Sequence, residues 1–230
     1  MLKSIKSLII LGGLIATAST QTHASWIAFE QLPSENSTHE SHHNSAGPIL
    51  ADDFIGYLPA GQGTVTKVEW WGTASSSDDW ELTFHNHNPA NLTVPNIDNP
   101  FSGGLKHMVT AAGMDADGDG IWHYKAEWNP QDWKIYLPDL DWFSVANISS
   151  GWEWALADTP TIGGQIFDAV RSTGGVGGCT DGGPHCGPWQ SIRGADFAFR
   201  VTAVPEPGTI LLLSVGLLGL ARCKRISKLD

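Results

Sequence analysis

The residues best suited to chemistry form the run Asp-Ala-Asp-Gly-Asp-Gly-Ile that starts at Asp115. Carboxylates at alternate positions, with glycines that permit a tight turn, converge on a hard cation in the first half of a calcium-binding loop. The spacing therefore makes Asp115, Asp117 and Asp119 side-chain ligands for Ca²⁺ and Ile121 a ligand through its carbonyl. Ala126 stands where an EF-hand loop needs a bidentate glutamate, so we expect a weak site. A solvated Asp-Gly turn is the alternative.

Two cysteines, Cys179 and Cys186, lie in a glycine-rich segment. Glycines allow the chain to turn back on itself, and an oxidising compartment favours a disulfide between such a pair. A metal site that adds His185 is the alternative, but no second pair of ligands supports it. We therefore predict a Cys179–Cys186 disulfide, and we expect Cys223, in the C-terminal tail, to stay reduced.

The eleven tryptophans invite a carbohydrate-binding interpretation, because flat aromatic rings can stack on sugar faces. Five of them share strand faces with leucine, phenylalanine or tyrosine: Trp80, Trp122, Trp128, Trp152 and Trp154. We expect such rings to fill a core. Trp26, Trp71, Trp142 and Trp189 lie outside this pattern. Of these, Trp71 and Trp189 are the candidate platforms for a glycan.

Histidines cluster in the polar stretch 33–47, where His39, His42 and His43 could bind a transition metal. This stretch has no apolar periodicity, so we expect a flexible loop that binds metal weakly or not at all. His85 lies opposite the apolar face of its predicted strand and is expected at the surface.

Residues 25–206 are strongly acidic, with seven Lys and Arg against 23 Asp and Glu, a net charge of −16. Such a body repels nucleic acid, which is bound through clustered Lys and Arg. It favours divalent cations, neutral glycans or a basic partner. The sequence also has no Gly-x-Ser-x-Gly elbow, His-Glu-x-x-His pair or P-loop. We therefore expect neither nucleic-acid binding nor enzyme activity.

The segments between the two ends have the period-two alternation of strands with one buried face. The predicted strands are Thr64–Trp71, Trp80–Phe84, Trp122–Trp128, Trp133–Leu137, Trp152–Leu156 and Phe197–Val201. Turn-rich pieces separate them, and this region shows no helical period with caps. Many short strands in one domain indicate an all-β fold, an antiparallel β-sandwich for which a jelly roll is one arrangement.

The N-terminal residues have the pattern of an export signal. Lys3 and Lys6 precede a short apolar run, and small and polar residues lead to Ala24. A positive region, an apolar region and a small residue at the cut predict a secretory signal peptide over residues 1–24, helical in its apolar part. The apolar run is too short to span a bilayer, which needs about 20 residues.

The C-terminal segment, residues 204–230, has three parts in order: a proline spacer, an apolar stretch that predicts a single membrane helix, and a basic cluster. The residues of this segment that define the motif are Pro205, Glu206, Pro207, Arg222, Lys224 and Arg225. The segment resembles the PEP-CTERM sorting signal of Gram-negative bacteria. The resemblance implies an exosortase as processing partner, transit through the inner membrane, and a host that makes exopolysaccharide or biofilm.

Four short motifs of the central region are similar to a sandwich domain that recurs in PEP-CTERM and other bacterial surface proteins. They are Ala51–Phe54, Val68–Gly72, Gly151–Trp154 and Asp196–Val201. The similarity implies a fold and a surface context, and no chemistry, because that domain has no assigned activity.

Together these features predict a signal peptide (1–24), a β-sandwich domain (25–203) and a sorting and anchoring segment (204–230). We expect an exported protein of the cell surface or extracellular matrix that acts by interaction. Its role would be structural or adhesive, in association with exopolysaccharide or biofilm. A lectin-like module that binds carbohydrate with the help of calcium is the alternative.

Overall fold

The computed structural model describes residues 25–41, 49–57, 63–88, 91–95, 106–137, 142–149, 151–172 and 189–205. Within these ranges the chain forms fifteen β-strands joined by turns, and no helix. The strands are β1 (Trp26–Gln31), β2 (Pro33–Glu40), β3 (Ile49–Asp53), β4 (Gly63–Gly72), β5 (Asp79–His85), β6 (His87–Asn88), β7 (Asn91–Pro95), β8 (Lys106–Thr110), β9 (Trp122–Glu127), β10 (Tyr136–Leu137), β11 (Trp142–Asn147), β12 (Glu153–Ala157), β13 (Val170–Ser172), β14 (Trp189–Ser191) and β15 (Phe199–Pro205).

The all-β class predicted from the sequence is confirmed for these residues. None of the described segments is a helix long and apolar enough to span a bilayer. The predicted signal helix and the predicted membrane helix fall outside the described residues, and they stay predictions.

Two large antiparallel sheets contain most of the described strands. Sheet A has the order β1-β15-β4-β12-β2, and β9 and β10 also pair with β4. Sheet B has the order β14-β13-β3-β11-β5-β8, and β6 pairs with β7 in a small separate sheet. The two large sheets share one aromatic core, as two sheets stacked face to face do. This arrangement fits the predicted sandwich, while the jelly roll stays a prediction.

The first and last residues of strand β4 define the two ends of the domain. Its first residue, Gly63, pairs with Pro205 of β15 on one side and with Leu137 of β10 on the other. We call this the exit end, because the described chain finishes there. Its last residue, Gly72, pairs with Trp122 of β9 at what we call the far end. At about 3.3 Å per residue, β4 separates the two ends by roughly 30 Å.

Aromatic side chains fill the space between the sheets. Trp70 of sheet A meets Trp80 of sheet B with ring centroids 5.3 Å apart, and Phe199 of sheet A lies 5.2 Å from Phe143 of sheet B. All five tryptophans predicted to belong to the core are buried in it or packed against it: Trp80, Trp122, Trp128, Trp152 and Trp154. Their predicted role is therefore confirmed.

The three central strands of sheet B, β3, β11 and β5, are buried on both faces, which the alternation of their residues did not predict. Trp142 and Val170 lie on its outer face, and the half-buried Phe167 and Trp189 cover them. His85 is directly opposite Trp142 in the sheet and is only 1 % exposed. The prediction that His85 faces solvent is wrong, because aromatic side chains, the ring of Trp189 among them, pack against this face.

The polar stretch predicted as a flexible loop, residues 33–47, begins with a strand. Pro33–Glu40 forms β2 at the edge of sheet A and pairs with β12, so that His39 lies opposite Trp154. The prediction was wrong there, because an edge strand receives its hydrogen bonds from its neighbour and does not need apolar alternation. Residues 42–48 lie outside the described part of the chain.

Five of the six predicted strands are confirmed with shifted ends, and only the end of the sixth is a strand. Within Trp133–Leu137 only Tyr136–Leu137 is a strand. The Asn129 side chain accepts from the backbone N–H of Gln131 at 2.9 Å and so closes a turn just before this segment. Burial still alternates over Trp133–Leu137, and the carbonyl of Ile135 accepts from the backbone N–H of Val65 at 2.9 Å, so this segment runs beside β4.

Candidate functional site

The Asp loop, residues 115–121, is fixed at the far end by a backbone clamp. Met114 and His123 exchange hydrogen bonds of 3.0 and 2.9 Å, so the loop leaves and re-enters the fold at one point. Gly118 and Gly120 have φ of 80° and 88°, a region that glycine enters without steric cost. A Cβ at either glycine would meet nothing within 4 Å, so the loop is open on its outer side.

The three carboxylates of the Asp loop converge, as the sequence predicts. One oxygen of each of Asp115, Asp117 and Asp119 lies within 4.8 Å of the others. Asp115 accepts from two backbone N–H groups of the loop at 2.7 and 3.2 Å, and Asp119 accepts from the N–H of Ile121 at 2.7 Å. These bonds hold the side chains together. Calcium binding itself, and the Ile121 carbonyl as a ligand, stay predictions.

A row of charges crosses the outer face of sheet A. Arg200 of β15 binds Glu30 of β1 on one side and Glu69 of β4 on the other, the latter at 3.3 Å. Lys67 and His123 also reach Glu69, at 2.9 and 3.2 Å. Burial alone would raise the pKa of Glu69, but the hydrogen bonds and charges of His123, Lys67 and Arg200 outweigh it and lower the pKa to about 2. Glu69 is therefore an ionised carboxylate held by three cationic or donor groups.

The spacing of residues in the sequence does not predict this row of charges. Its members come from strands that are far apart in the chain, and only the register of β1, β15, β4 and β9 brings them side by side. Alternation shows that these residues point away from the core, but it does not show which of them are neighbours.

Trp71, the first candidate glycan platform, is half-buried within the row of charges. Its ring stacks on His123 of β9, with centroids 4.8 Å apart and 11° between the planes. The guanidinium of Arg200, on β15, lies 5.6 Å from the ring centroid. Because β9 and β15 flank β4 on opposite sides, the ring has a neighbour on each side. A sugar could stack on Trp71 only after His123 or Arg200 moved away.

Trp189, the second candidate platform, is half-buried over the outer face of sheet B. Its ring centroid lies 5.8 Å from that of His85, in an edge-on contact. The ring therefore contributes to packing on this face. Glycan binding at either tryptophan stays a prediction.

Two adjacent aspartates of β3, Asp52 and Asp53, are buried, which the sequence analysis did not predict. Asp52 accepts from the backbone N–H of Phe197 at 2.6 Å and from the amide of Gln165 at 2.7 Å. Asp53 accepts from the N–H of Ile166 at 2.9 Å. Burial raises the pKa of Asp53 to about 6 and raises the pKa of Asp52 well above its ordinary value. These carboxylates fasten two distant segments to β3.

Several residues singled out in the sequence lie outside the described part of the chain. They are Cys179, Cys186, Glu206, Pro207, Arg222, Lys224 and Arg225. The disulfide is accordingly still a prediction. Pro205 is described, and it ends β15 opposite Gly63 at the exit end.

The chain leaves the described fold through the last residues of β15. In a comparison with protein-family models, the segment 203–225 matches the PEP-CTERM protein-sorting motif. The chain carries a PEP-CTERM sorting motif. No curated protein and no solved structure matched the chain in the corresponding comparisons.

The PEP-CTERM motif confirms the resemblance seen in the residues that begin at Pro205. It implies an exported protein that is sorted through an exosortase and is anchored in the membrane in transit. The matched segment is a small part of the chain. It therefore describes how the domain is delivered and leaves open what the domain binds.

The PEP-CTERM motif begins inside the folded domain. Ala203, Val204 and Pro205 belong to both the motif and β15. Ala203 is fully buried and pairs with Trp26 of β1, and Val204 pairs with Thr64 of β4. The matched segment thus begins within the last strand of the domain.

Proposed function

We propose that the β-domain is a non-catalytic interaction module of a Gram-negative cell, delivered by exosortase processing to the cell surface or the extracellular matrix. Its role there is structural or adhesive, in association with exopolysaccharide or biofilm. The observation that carries the proposal is the PEP-CTERM motif over residues 203–225, joined directly to the last strand of the domain. A domain held in the membrane at its exit end presents its far end to the surroundings.

The far end is acidic, which suits a binding role toward cations or basic partners. The exposed Asp78 and Asp79 lie at the start of β5. The backbone N–H of Ala111, shortly before the Asp loop in the chain, donates to the carbonyl of Asp78 at 2.7 Å and so brings the two acidic segments together. With a net charge of −16 over residues 25–206, the domain has little attraction for other acidic macromolecules unless a cation bridges them. Divalent cations are therefore central to the proposal.

Calcium is the cation that the Asp loop fits best. Asp115, Asp117 and Asp119 offer only hard oxygen ligands, and these lie within 4.8 Å of one another. Ca²⁺ takes six to eight oxygens, so water or a ligand oxygen would complete the shell. Outside the cell Ca²⁺ is abundant, and sites with dissociation constants of ~10⁻⁴–10⁻³ M are used there.

The delivery part of the proposal is tested in a host that has an exosortase and in the same host without it. We expect the full-length chain to reach the cell surface or medium in a shortened form, as cell fractionation and intact-mass measurement would show. Replacement of Glu206 by Ala should leave the longer form in the membrane. A cytosolic chain, or equal shortening without the exosortase, would disprove delivery by this route.

A calcium-dependent carbohydrate-binding module is the second candidate, and the converging carboxylates favour it. It is tested by retention of the released protein on the exopolysaccharide of the same host, with calcium and with a chelator. Retention that the chelator abolishes supports this candidate. Retention that is independent of calcium supports the structural or adhesive role, and no retention excludes the polysaccharide as the partner.

A further inference from the structure

Aromatic side chains gather at the exit end of the domain. Trp26, the first residue of β1, is half-buried, while Tyr57 is 58 % exposed and Tyr136 is 38 % exposed. Large apolar groups exposed together call for an explanation, since soluble domains usually cover them.

Backbone geometry holds these side chains at one end of β4. The indole N–H of Trp26 donates to the carbonyl of Tyr57 at 2.9 Å. The ring of Trp26 lies over Gly63, where an added Cβ would be only 2.7 Å from the indole. Tyr136 pairs with Thr64, the next residue of β4. The glycine at position 63 thus leaves room for the indole at the point where the chain leaves the domain.

The apolar sorting segment begins very close to this aromatic group. Pro205 is opposite Gly63, and the apolar run starts at Thr209, so the residues between them number three. Whatever its conformation, a stretch of this length spans at most roughly 10–14 Å from Pro205 to Thr209. The exit end of the anchored precursor must therefore lie within reach of the lipid headgroups.

The distribution of charge agrees with a membrane on this side. The described residues that pair at the exit end, 26–27, 63–65, 136–137 and 203–205, carry no Asp, Glu, Lys or Arg, and charged residues enter the flanking sequence at Lys134, Asp139 and Glu206. The far end, about 30 Å away along β4, holds the exposed Asp78, Asp79, Asp117 and Asp119. Acidic groups near an anionic bilayer are repelled, whereas Trp and Tyr are enriched where a bilayer meets water.

We propose that the exit end is a membrane-contact surface, on which Trp26, Tyr57 and Tyr136 rest in the headgroup region of the bilayer that holds the C-terminal segment. The contact sets the orientation of the precursor, with the Asp loop pointing away from the membrane, until the segment is processed. This inference rests on the proposed delivery through the membrane, and it names the lipid–water interface as the partner.

The three tyrosines of the chain allow a direct test. The full-length chain is labelled with 3-fluorotyrosine and placed in nanodiscs of phosphatidylethanolamine and phosphatidylglycerol, with and without a lipid that carries a nitroxide on its headgroup. The variants Tyr57→Phe and Tyr136→Phe assign the fluorine resonances. Tyr124 is the internal control, because it is 1 % exposed and pairs with Trp70, roughly 23 Å along β4 from Gly63.

We expect the Tyr57 and Tyr136 resonances to lose most of their intensity with the nitroxide lipid, while the Tyr124 resonance keeps its intensity. Unchanged Tyr57 and Tyr136 signals in nanodisc-bound chain would overturn the proposal and leave delivery through the membrane intact. A chain that does not associate with nanodiscs would overturn both. Changes in Tyr57 and Tyr136 that require added exosortase would assign the surface to the enzyme and overturn the lipid contact.

Discussion

The three carboxylates of the Asp loop repel one another when no cation is present, since like charges a few ångströms apart raise each other's energy. Asp115, Asp117 and Asp119 lie within 4.8 Å, and backbone N–H groups offset only part of this repulsion. We predict that calcium stabilises the domain. With a dissociation constant of ~1 mM, calcium at ~10 mM adds about 1.4 kcal/mol and raises Tm by roughly 3–6 °C. Calorimetry with calcium and with a chelator measures the shift.

The double variant Asp117→Asn and Asp119→Asn should lose this calcium effect and be at least as stable as the wild-type protein in chelator, because it removes charges that repel. Asp132→Asn is the matched control, an exposed carboxylate in a turn outside the loop, and its calcium effect should equal that of the wild type. An equal rise in Tm for the double variant would show that the calcium binds elsewhere.

Buried and paired carboxylates give the stability of the domain two opposite dependences on pH. Burial raises the pKa of Asp53 from 3.8 to about 6, so the folded state binds the extra proton and stability falls as the pH rises through this window. The pKa of Glu69 is lowered from 4.5 to about 2, so stability falls as the pH drops below 4.5. We therefore predict that the domain is most stable between about pH 4 and 5.

Urea unfolding at a series of pH values tests this prediction. Asp53→Asn should flatten the loss of stability between pH 3.8 and about 6, which reaches at most about 3 kcal/mol, and Glu69→Gln should flatten the loss below pH 4.5. Asp52 and Asp196 have raised pKa values and act in the same direction as Asp53. If stability rose steadily from pH 4 to 7 in the wild type, the burial of these carboxylates would not control it.

At the residue scale, local spacing predicted the Asp loop because its ligands and its backbone donors all lie within a few positions. Asp52 and Asp53 could not be predicted in this way. Asp52 finds its partners 113 and 145 positions away, at Gln165 and Phe197, and those contacts exist only once the strands have paired. An acidic pair in the sequence normally indicates a solvated surface, and only tertiary structure overrides that expectation.

At the scale of the elements, close packing between β4 and β12 depends on one residue without a side chain. A Cβ at Gly72 would lie 2.2 Å from the carbonyl oxygen of Glu153 and 2.5 Å from the ring of Trp152. Since neither the backbone nor the buried indole can move freely, we predict that Gly72→Ala lowers the free energy of unfolding by about 1–3 kcal/mol. Urea unfolding monitored by tryptophan fluorescence measures the change.

Gly164→Ala is the matched control for this prediction. At Gly164 an added Cβ would contact only the Ile55 side chain, at 3.8 Å, so the free energy of unfolding should change by less than about 0.5 kcal/mol. Equal losses in the two variants would mean that the intrinsic cost of replacing glycine, and not the approach of β12 to β4, determines the effect.

Alternation predicted strands well where one face meets the core and the other meets solvent. It failed for β2, which is polar on both faces and depends on β12 for its hydrogen bonds. It also failed for the face of β5 that includes His85, because the rings of Phe167 and Trp189 pack against that face of the sheet. In both cases the deciding partner is another element, which a local pattern does not contain.

At the scale of the whole molecule, the two ends of the domain differ in chemical character. Its exit end joins uncharged aromatic residues to the sorting segment, and its far end carries the Asp loop. The length of β4 places the Asp loop roughly 30 Å from the start of the sorting motif, so the proposed membrane contact and the proposed cation binding need not interfere. The sequence predicted both ends as motifs, and the register of β4 shows that they are opposite.

The overlap of the PEP-CTERM motif with β15 limits where the chain can be cut without loss of stability. Ala203, Val204 and Pro205 pair with β4, and Ala203 also pairs with β1. We predict that a chain ending at Thr202 is less stable than one ending at Glu206 by about 2–4 kcal/mol, because it loses several ladder hydrogen bonds and a buried side chain. Thermal unfolding of the two chains measures the difference. The naturally processed protein should accordingly end at or beyond Pro205, as intact-mass measurement would show, and a product cut before Ala203 with an unchanged Tm would contradict this role of the strand.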